Sequence, residues 1–88
     1  MAVVRLRAPL KDLAGGNQEV RLEGSSVFAV LRALEKEHPR TVDWVFDEQG
    51  RIRRHVNVFV NGEPTREDAT LSPDDVVYVL PAITGGSR

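Results

Sequence analysis

The sequence closes on Ile83-Thr84-Gly85-Gly86-Ser87-Arg88, which places a diglycine two residues before its end. Glycine lacks a Cβ, so a Gly-Gly step threads a channel too narrow for other residues and accepts almost any backbone dihedral on the way. Reached directly from the apolar run Val76-Val77-Tyr78-Val79-Leu80, such a segment suits chemistry on the chain's own carboxyl end. From Pro81 to Gly86 the backbone extends at most about 3.3–3.6 Å per residue, a reach of roughly 20 Å into a partner. The bland alternative is an unordered terminus of small and polar residues, and the diglycine alone does not choose between them.

The other residue types that carry chemistry are sparse. There is no cysteine, which removes disulfides, thiolate metal sites and cysteine nucleophiles together. His38 and His55 lack companions at ligand or catalytic spacing and read as a helix-end and a strand-surface residue. Arg51, Arg53 and Arg54 make the sharpest basic cluster, read as a solvated loop ahead of steering toward an acidic partner. Trp44 is expected to cover the core. No residue set for catalysis emerges from these types and spacings.

Eighty-eight residues with 41% hydrophobic and 28% charged side chains describe one small globular domain with little room for a buried cleft. Twelve basic against 13 acidic residues, a formal net charge of -1, give no bulk field toward nucleic acid or anionic lipid. Binding is expected to rest on surface shape. No apolar run approaches the roughly 20 residues of a membrane span, and no signal peptide is read, so the expected location is cytoplasmic.

The elements that must position the tail follow from periodicity. Ala2 to Ala8 alternates with Val4, Leu6 and Ala8 on one face, a half-buried strand ended with the help of Pro9. Lys11 to Asn17 reads as a turn-rich connection, its Gly15-Gly16 pair included, and Glu19 to Glu23 alternates again through Val20 and Leu22. Gly24-Ser25-Ser26 supplies an N-cap, and Val27, Val30, Leu31 and Leu34 recur at helical spacing up to Glu37, His38 and the breaker Pro39. Between Arg40 and Arg54, Val42, Trp44, Val45 and Phe46 suggest a helical turn or loop capping the core, with a surface turn at Asp47-Glu48-Gln49-Gly50. His55 to Asn61 is a strand with Val56, Val58 and Val60 on one face and Phe59 on the other. Leu71 to Asp75 reads as a turn, and Val76 to Leu80 as the last strand before Pro81 releases the tail. If Val77 and Val79 point inward, Val76, Tyr78 and Leu80 face out and join Phe59 in an apolar patch at the tail's base.

With those elements in place, the chain resembles the ubiquitin-like sulfur carriers of the MoaD/ThiS family and, within it, the CysO-like carriers of cysteine biosynthesis. The strand His55-Val56-Asn57-Val58-Phe59-Val60-Asn61 resembles the family's third main strand. Leu71, Asp74-Asp75-Val76 and Val79-Leu80-Pro81-Ala82, followed by Gly85-Gly86, resemble its closing signature. The resemblance covers almost the whole chain and implies an α+β, β-grasp fold: a mixed sheet of four or five strands on one main helix over residues 1–81, with a flexible tail over 82–88. One departure is plain. In most such carriers the second glycine is the last residue, whereas here Ser87 and Arg88 follow. The resemblance then implies a short extension removed between Gly86 and Ser87 by a JAMM-type zinc metalloprotease; a scar of expression is the alternative.

What the resemblance implies chemically is a carrier, itself no enzyme, that binds no cofactor. A ubiquitin-activating-type adenylyltransferase and sulfurtransferase would use ATP to convert the Gly86 carboxylate into an acyl-adenylate, and a persulfide or sulfide would turn it into a thiocarboxylate. Ile83, Thr84 and Gly85 would lead Gly86 into the partner, with Phe59, Tyr78, Leu80 and Pro81 as the docking patch. A cysteine-synthase-like or other enzyme would accept the sulfur, and the free chain is expected to be a monomer. The rivals are the small subunit of molybdopterin synthase, a protein modifier joined through Gly86 to lysine, and a non-covalent interaction module.

Overall fold

A computed structural model describes the backbone of residues 1–81 and the side chains of residues 1–80. Its elements are β1 (Ala2–Leu6), α1 (Leu10–Leu13), β2 (Glu19–Leu22), α2 (Val27–Glu37), a 3-10 turn (Pro39–Thr41), β3 (Val56–Val60), β4 (Glu63–Thr65) and β5 (Val76–Pro81). The strands form one sheet in the order β2-β1-β5-β3-β4. β5 pairs parallel with β1 and antiparallel with β3, so the last strand in the chain is the central one in space.

The alternation of β1 buries Ala2, Val4 and Leu6, and that of β5 buries Val77 and Val79. Against this face α2 presents Val27, Val30, Leu31 and Leu34, all fully buried, in the i, i+3, i+4, i+7 pattern of one helical stripe. Ser26 caps the helix, its Oγ accepting from the Ala29 N–H at 3.1 Å. Gly24 lets the preceding turn pass close beneath it: a Cβ there would stand 2.8 Å from both Cγ2 and N of Val30. At the far end the His38 N–H donates to the Leu34 carbonyl and Pro39 turns the chain away. This helix laid across a mixed five-stranded sheet is the β-grasp arrangement.

Several expectations change in detail. β1 stops at Leu6, leaving Ala8 exposed, because the chain turns into α1. The Lys11–Asn17 connection begins with that short helix, whose Leu10 is buried in the core. A fifth strand, β4, pairs with β3 through Val58, Phe59 and Val60; with Pro64 at its centre it carried no alternation to read. Trp44 does not cover the core. It is 41% exposed, and Val45 and Phe46 fill the space instead. Asp43, at a φ of 73°, turns the chain in the left-handed region, after which Phe46 bridges to Ile52. Phe46 also packs at 5.2 Å against the Phe28 ring of α2, and the Arg32 guanidinium lies over both rings.

Candidate functional site

The central position of β5 decides what surrounds the root of the tail. Inward Val77 and Val79 force Val76, Tyr78 and Leu80 onto the outer face, as period-2 alternation requires. On one side Phe59 stands directly opposite Tyr78, and Asn57 opposite Leu80. On the other side Arg5 of β1 is the register partner of Tyr78. Pro64 of β4 continues the row beyond Phe59. The patch expected from sequence is therefore assembled. Tyr78 is exposed, whereas Phe59, Val76 and Leu80 are half-buried, so each of those three contributes to sheet packing as well as to the surface.

Arg5 gives this apolar strip a charged border. Its Nη1 donates to Glu19 Oε1 of β2 at 2.9 Å, an exposed pair worth at most about 1 kcal/mol that orients the guanidinium more than it stabilises the fold. Beside it a shallow pocket of about 230 Å³ is lined by Arg5, Leu6, Arg7, Gln18, Tyr78 and Leu80. Sequence reasoning missed both arginines here. The signal existed in the parity of β1, since Val3, Arg5 and Arg7 share the face opposite Val4 and Leu6, but nothing local says that β1 lies next to β5.

The start of β5 is held by a side-chain network. Asn61, at a φ of 52°, donates from Nδ2 to Asp75 Oδ1 at 2.9 Å and accepts at Oδ1 from the Val76 N–H at 3.0 Å. Asp75 Oδ2 accepts from the Ser72 N–H at 2.8 Å. The Ser72 N–H, and after it the Asn61 amide, hold the Asp75 carboxyl below its ordinary value. The Leu71–Asp75 segment is the turn expected, closed by the Asp75 N–H donating to the Ser72 carbonyl. This network ties the start of β5 to the residue that follows β3.

β5 runs on through Pro81, the partner of Val56, one residue beyond the expected end. A proline's fixed φ is tolerated at a strand terminus, where its missing N–H costs no interior ladder bond. Ile83, Thr84, Gly85, Gly86 and the Gly86–Ser87 junction lie outside the described residues, as does the side chain of Pro81. His38 caps the end of α2, His55 is exposed in the turn before β3, and among the described residues no group of three metal-ligating side chains occurs. Of the basic cluster, Arg53 is bound into its loop, its Nε donating to the Asp43 carbonyl at 2.9 Å, while Arg51 and Arg54 are exposed.

Comparison with known proteins agrees with this geometry. Sulfur carrier protein CysO of Mycobacterium tuberculosis is 31% identical over 83 residues, which span 88% of this chain and 89% of the relative. Small archaeal modifier protein 1 of Haloferax volcanii is 31% identical over 84 residues, spanning 93% of this chain and 97% of the relative. The crystal structure of that modifier superposes with a TM-score of 0.87, covering 97% and 98% of the two chains at 30% identity. CysO of Amycolatopsis orientalis, crystallised in complex with BexX, superposes at 0.88 with 26% identity, covering 98% of this chain and 100% of that one. These relatives are small carrier and modifier proteins with the ubiquitin-like β-grasp fold. The ThiS family model matches residues 4–86, a span that runs from β1 through Gly86, and the chain belongs to the ThiS family.

Proposed function

We propose that this chain is a sulfur carrier whose Gly86 carboxylate, once Ser87 and Arg88 are removed, is adenylated and converted into a thiocarboxylate. The single observation that carries this is the match of the ThiS family through the diglycine, with residue 86 as its last matched position. A carboxylate resists nucleophiles because its charge is delocalised and its leaving group is oxide. ATP corrects both defects: the Gly86 oxygen attacks the α-phosphorus, pyrophosphate leaves, and the acyl-adenylate then offers AMP as leaving group. Sulfide attacks the carbonyl carbon, the bond to AMP breaks, a proton is lost, and the thiocarboxylate remains. The carrier contributes reach, the small cross-section of Gly85-Gly86 and a docking face beside the tail, with Phe59, Tyr78 and Leu80 as its apolar members. It supplies no catalyst. A cysteine-synthase-like enzyme is the acceptor this reading favours, on the likeness to CysO.

Intact-mass spectrometry tests the proposal. With an activating enzyme, ATP and sulfide, the chain ending at Gly86 is expected to gain about 16 Da as sulfur replaces oxygen, and the chain ending at Arg88 to gain nothing. Gly86→Ala in the shorter form is expected to fold with unchanged melting temperature and to lose most conversion, because the added methyl obstructs the channel. Equal conversion of both lengths removes the processing step.

A second reading is favoured by the likeness to small archaeal modifier protein 1: the activated Gly86 is attacked by a lysine amine of a target and forms an isopeptide bond. A ladder of larger conjugates in immunoblots of cell lysate, in place of free thiocarboxylate, identifies it.

A further inference from the structure

We propose that the end of the sheet at which β5 terminates is a basic docking mouth for an acidic rim on the activating enzyme, and that charge separation along the sheet brings the chain in tail first. The inference rests on the reading of Gly86 as the activated residue. It concerns cations that are distant in sequence and that only the strand order brings together.

β5 ends at Pro81 between the end of β1 and the start of β3: Leu6 pairs with Val79, and Val56 with Pro81. On the β1 flank, exposed Arg7 lines the pocket beside Leu80 and shares a second pocket with half-exposed Lys11. On the β3 flank lie Arg53 and exposed Arg54, followed by exposed His55. The carboxylates at this end include Glu19, which is paired with Arg5, Asp12 on α1, and Asp43, whose carbonyl engages Arg53. At the opposite end Asp74 and Asp75 precede β5, Glu23 follows β2, and Glu63 opens β4 opposite Val60. The cations at that end near β1 include the amine of Met1 and exposed Arg21, the register partner of Val3. A chain of net charge -1 is thus polarised, basic where the tail begins and acidic where it does not.

Magnitudes identify the occupant. Strands of five to six residues separate the two ends by roughly 17–20 Å, about twice the Debye length of ~8 Å at physiological salt, so the acidic end does not cancel the field at the mouth. A fully extended chain from Pro81 to Gly86 would span at most about the same distance, roughly 20 Å, enough to place the phosphates of an adenylate beyond the screened range of the mouth. What faces Arg7, Lys11 and Arg54 during activation is the protein surface around the channel. Complementary charge there acts on encounter and orientation.

Two measurements test this. Stopped-flow association of the chain ending at Gly86 with the activating enzyme of the same organism should slow about 5- to 20-fold in an Arg7→Gln, Lys11→Gln, Arg54→Gln variant at low salt, with koff unchanged and a flatter salt dependence. Glu23→Gln with Asp74→Asn should leave kon within about twofold. A variant whose kon is unchanged, or whose loss lies in koff, overturns the proposal. Independently of any enzyme, hexaglutamate titrated into the labelled chain at low salt should shift the amides of residues 7, 11, 54 and 55; shifts scattered elsewhere, or none, overturn it. Shifts at those amides with a dT12 oligonucleotide and none with hexaglutamate replace the acidic protein by nucleic acid and overturn it also. A thiocarboxylate formed at unchanged kon removes the mouth and leaves the carrier function standing. Hexaglutamate shifts at the mouth without any thiocarboxylate do the reverse.

Discussion

Phe59 and Tyr78 stand directly opposite one another on the outer face of the sheet, one half-buried and the other 36% exposed. The pair joins the strand that precedes the tail to its antiparallel neighbour. A partner that presses on Tyr78 therefore meets Phe59 and Leu80 as one surface.

Truncations of these three side chains should separate docking from stability. Tyr78→Ala, Phe59→Ala and Leu80→Ala are each expected to weaken binding to the activating enzyme by about 1–3 kcal/mol. Tyr78→Ala should change stability by less than about 1 kcal/mol, whereas the half-buried Phe59 and Leu80 should cost more, though less than the ~2–5 kcal/mol of a full core truncation. Calorimetric titration beside urea denaturation reads both quantities. Full affinity in all three stable variants would remove this face from recognition.

Gly24→Ala should destabilise the chain by about 1–3 kcal/mol, because its new Cβ meets the Val30 backbone and side chain at 2.8 Å, and the helix must shift to admit it. Gly16→Ala provides the contrast. Nothing lies within 4 Å of a Cβ there, so only the strain of its φ of 82° remains. A urea midpoint for Gly24→Ala no lower than that for Gly16→Ala would contradict the close approach.

Acid should unfold the chain partly through three carboxylates. The Ser72 N–H lowers Asp75, the Arg51 N–H lowers Asp47, and the Ile52 N–H lowers Glu67. Each folded value lies below the unfolded one, so the stabilisation is complete above the unfolded value and disappears as pH falls through the folded one. Urea midpoints are expected to be flat from about pH 6 to 5 and to fall below about pH 4, less steeply in Asp75→Asn. A midpoint that stays constant to about pH 3 would mean that these hydrogen bonds do not contribute to folding.

The local elements were legible because their causes are local. Period-2 alternation marks β1, β2, β3 and β5, and the Ser26 cap, the stripe from Val27 to Leu34 and Pro39 delimit α2 without reference to the rest of the chain. The diglycine was equally plain, since what makes it suitable for a narrow channel is the absence of a side chain. Only the tertiary structure decided the surroundings of the tail. Alternation says that Val77 and Tyr78 face opposite ways, but the burial of Val77 by α2 selects which one is outside. Arg5 borders Tyr78, and Arg7 and Arg54 flank the same strand end, because β5 inserts between β1 and β3. Those pairings join residues some 17 to 73 positions apart. Trp44 and Phe46 show the same division, as two aromatics two residues apart whose fates were set by the turn at Asp43 and by the space beside Phe28 and Ile52. A side chain's chemistry is carried by its type, whereas its exposure and its neighbours depend on which distant segments close around it.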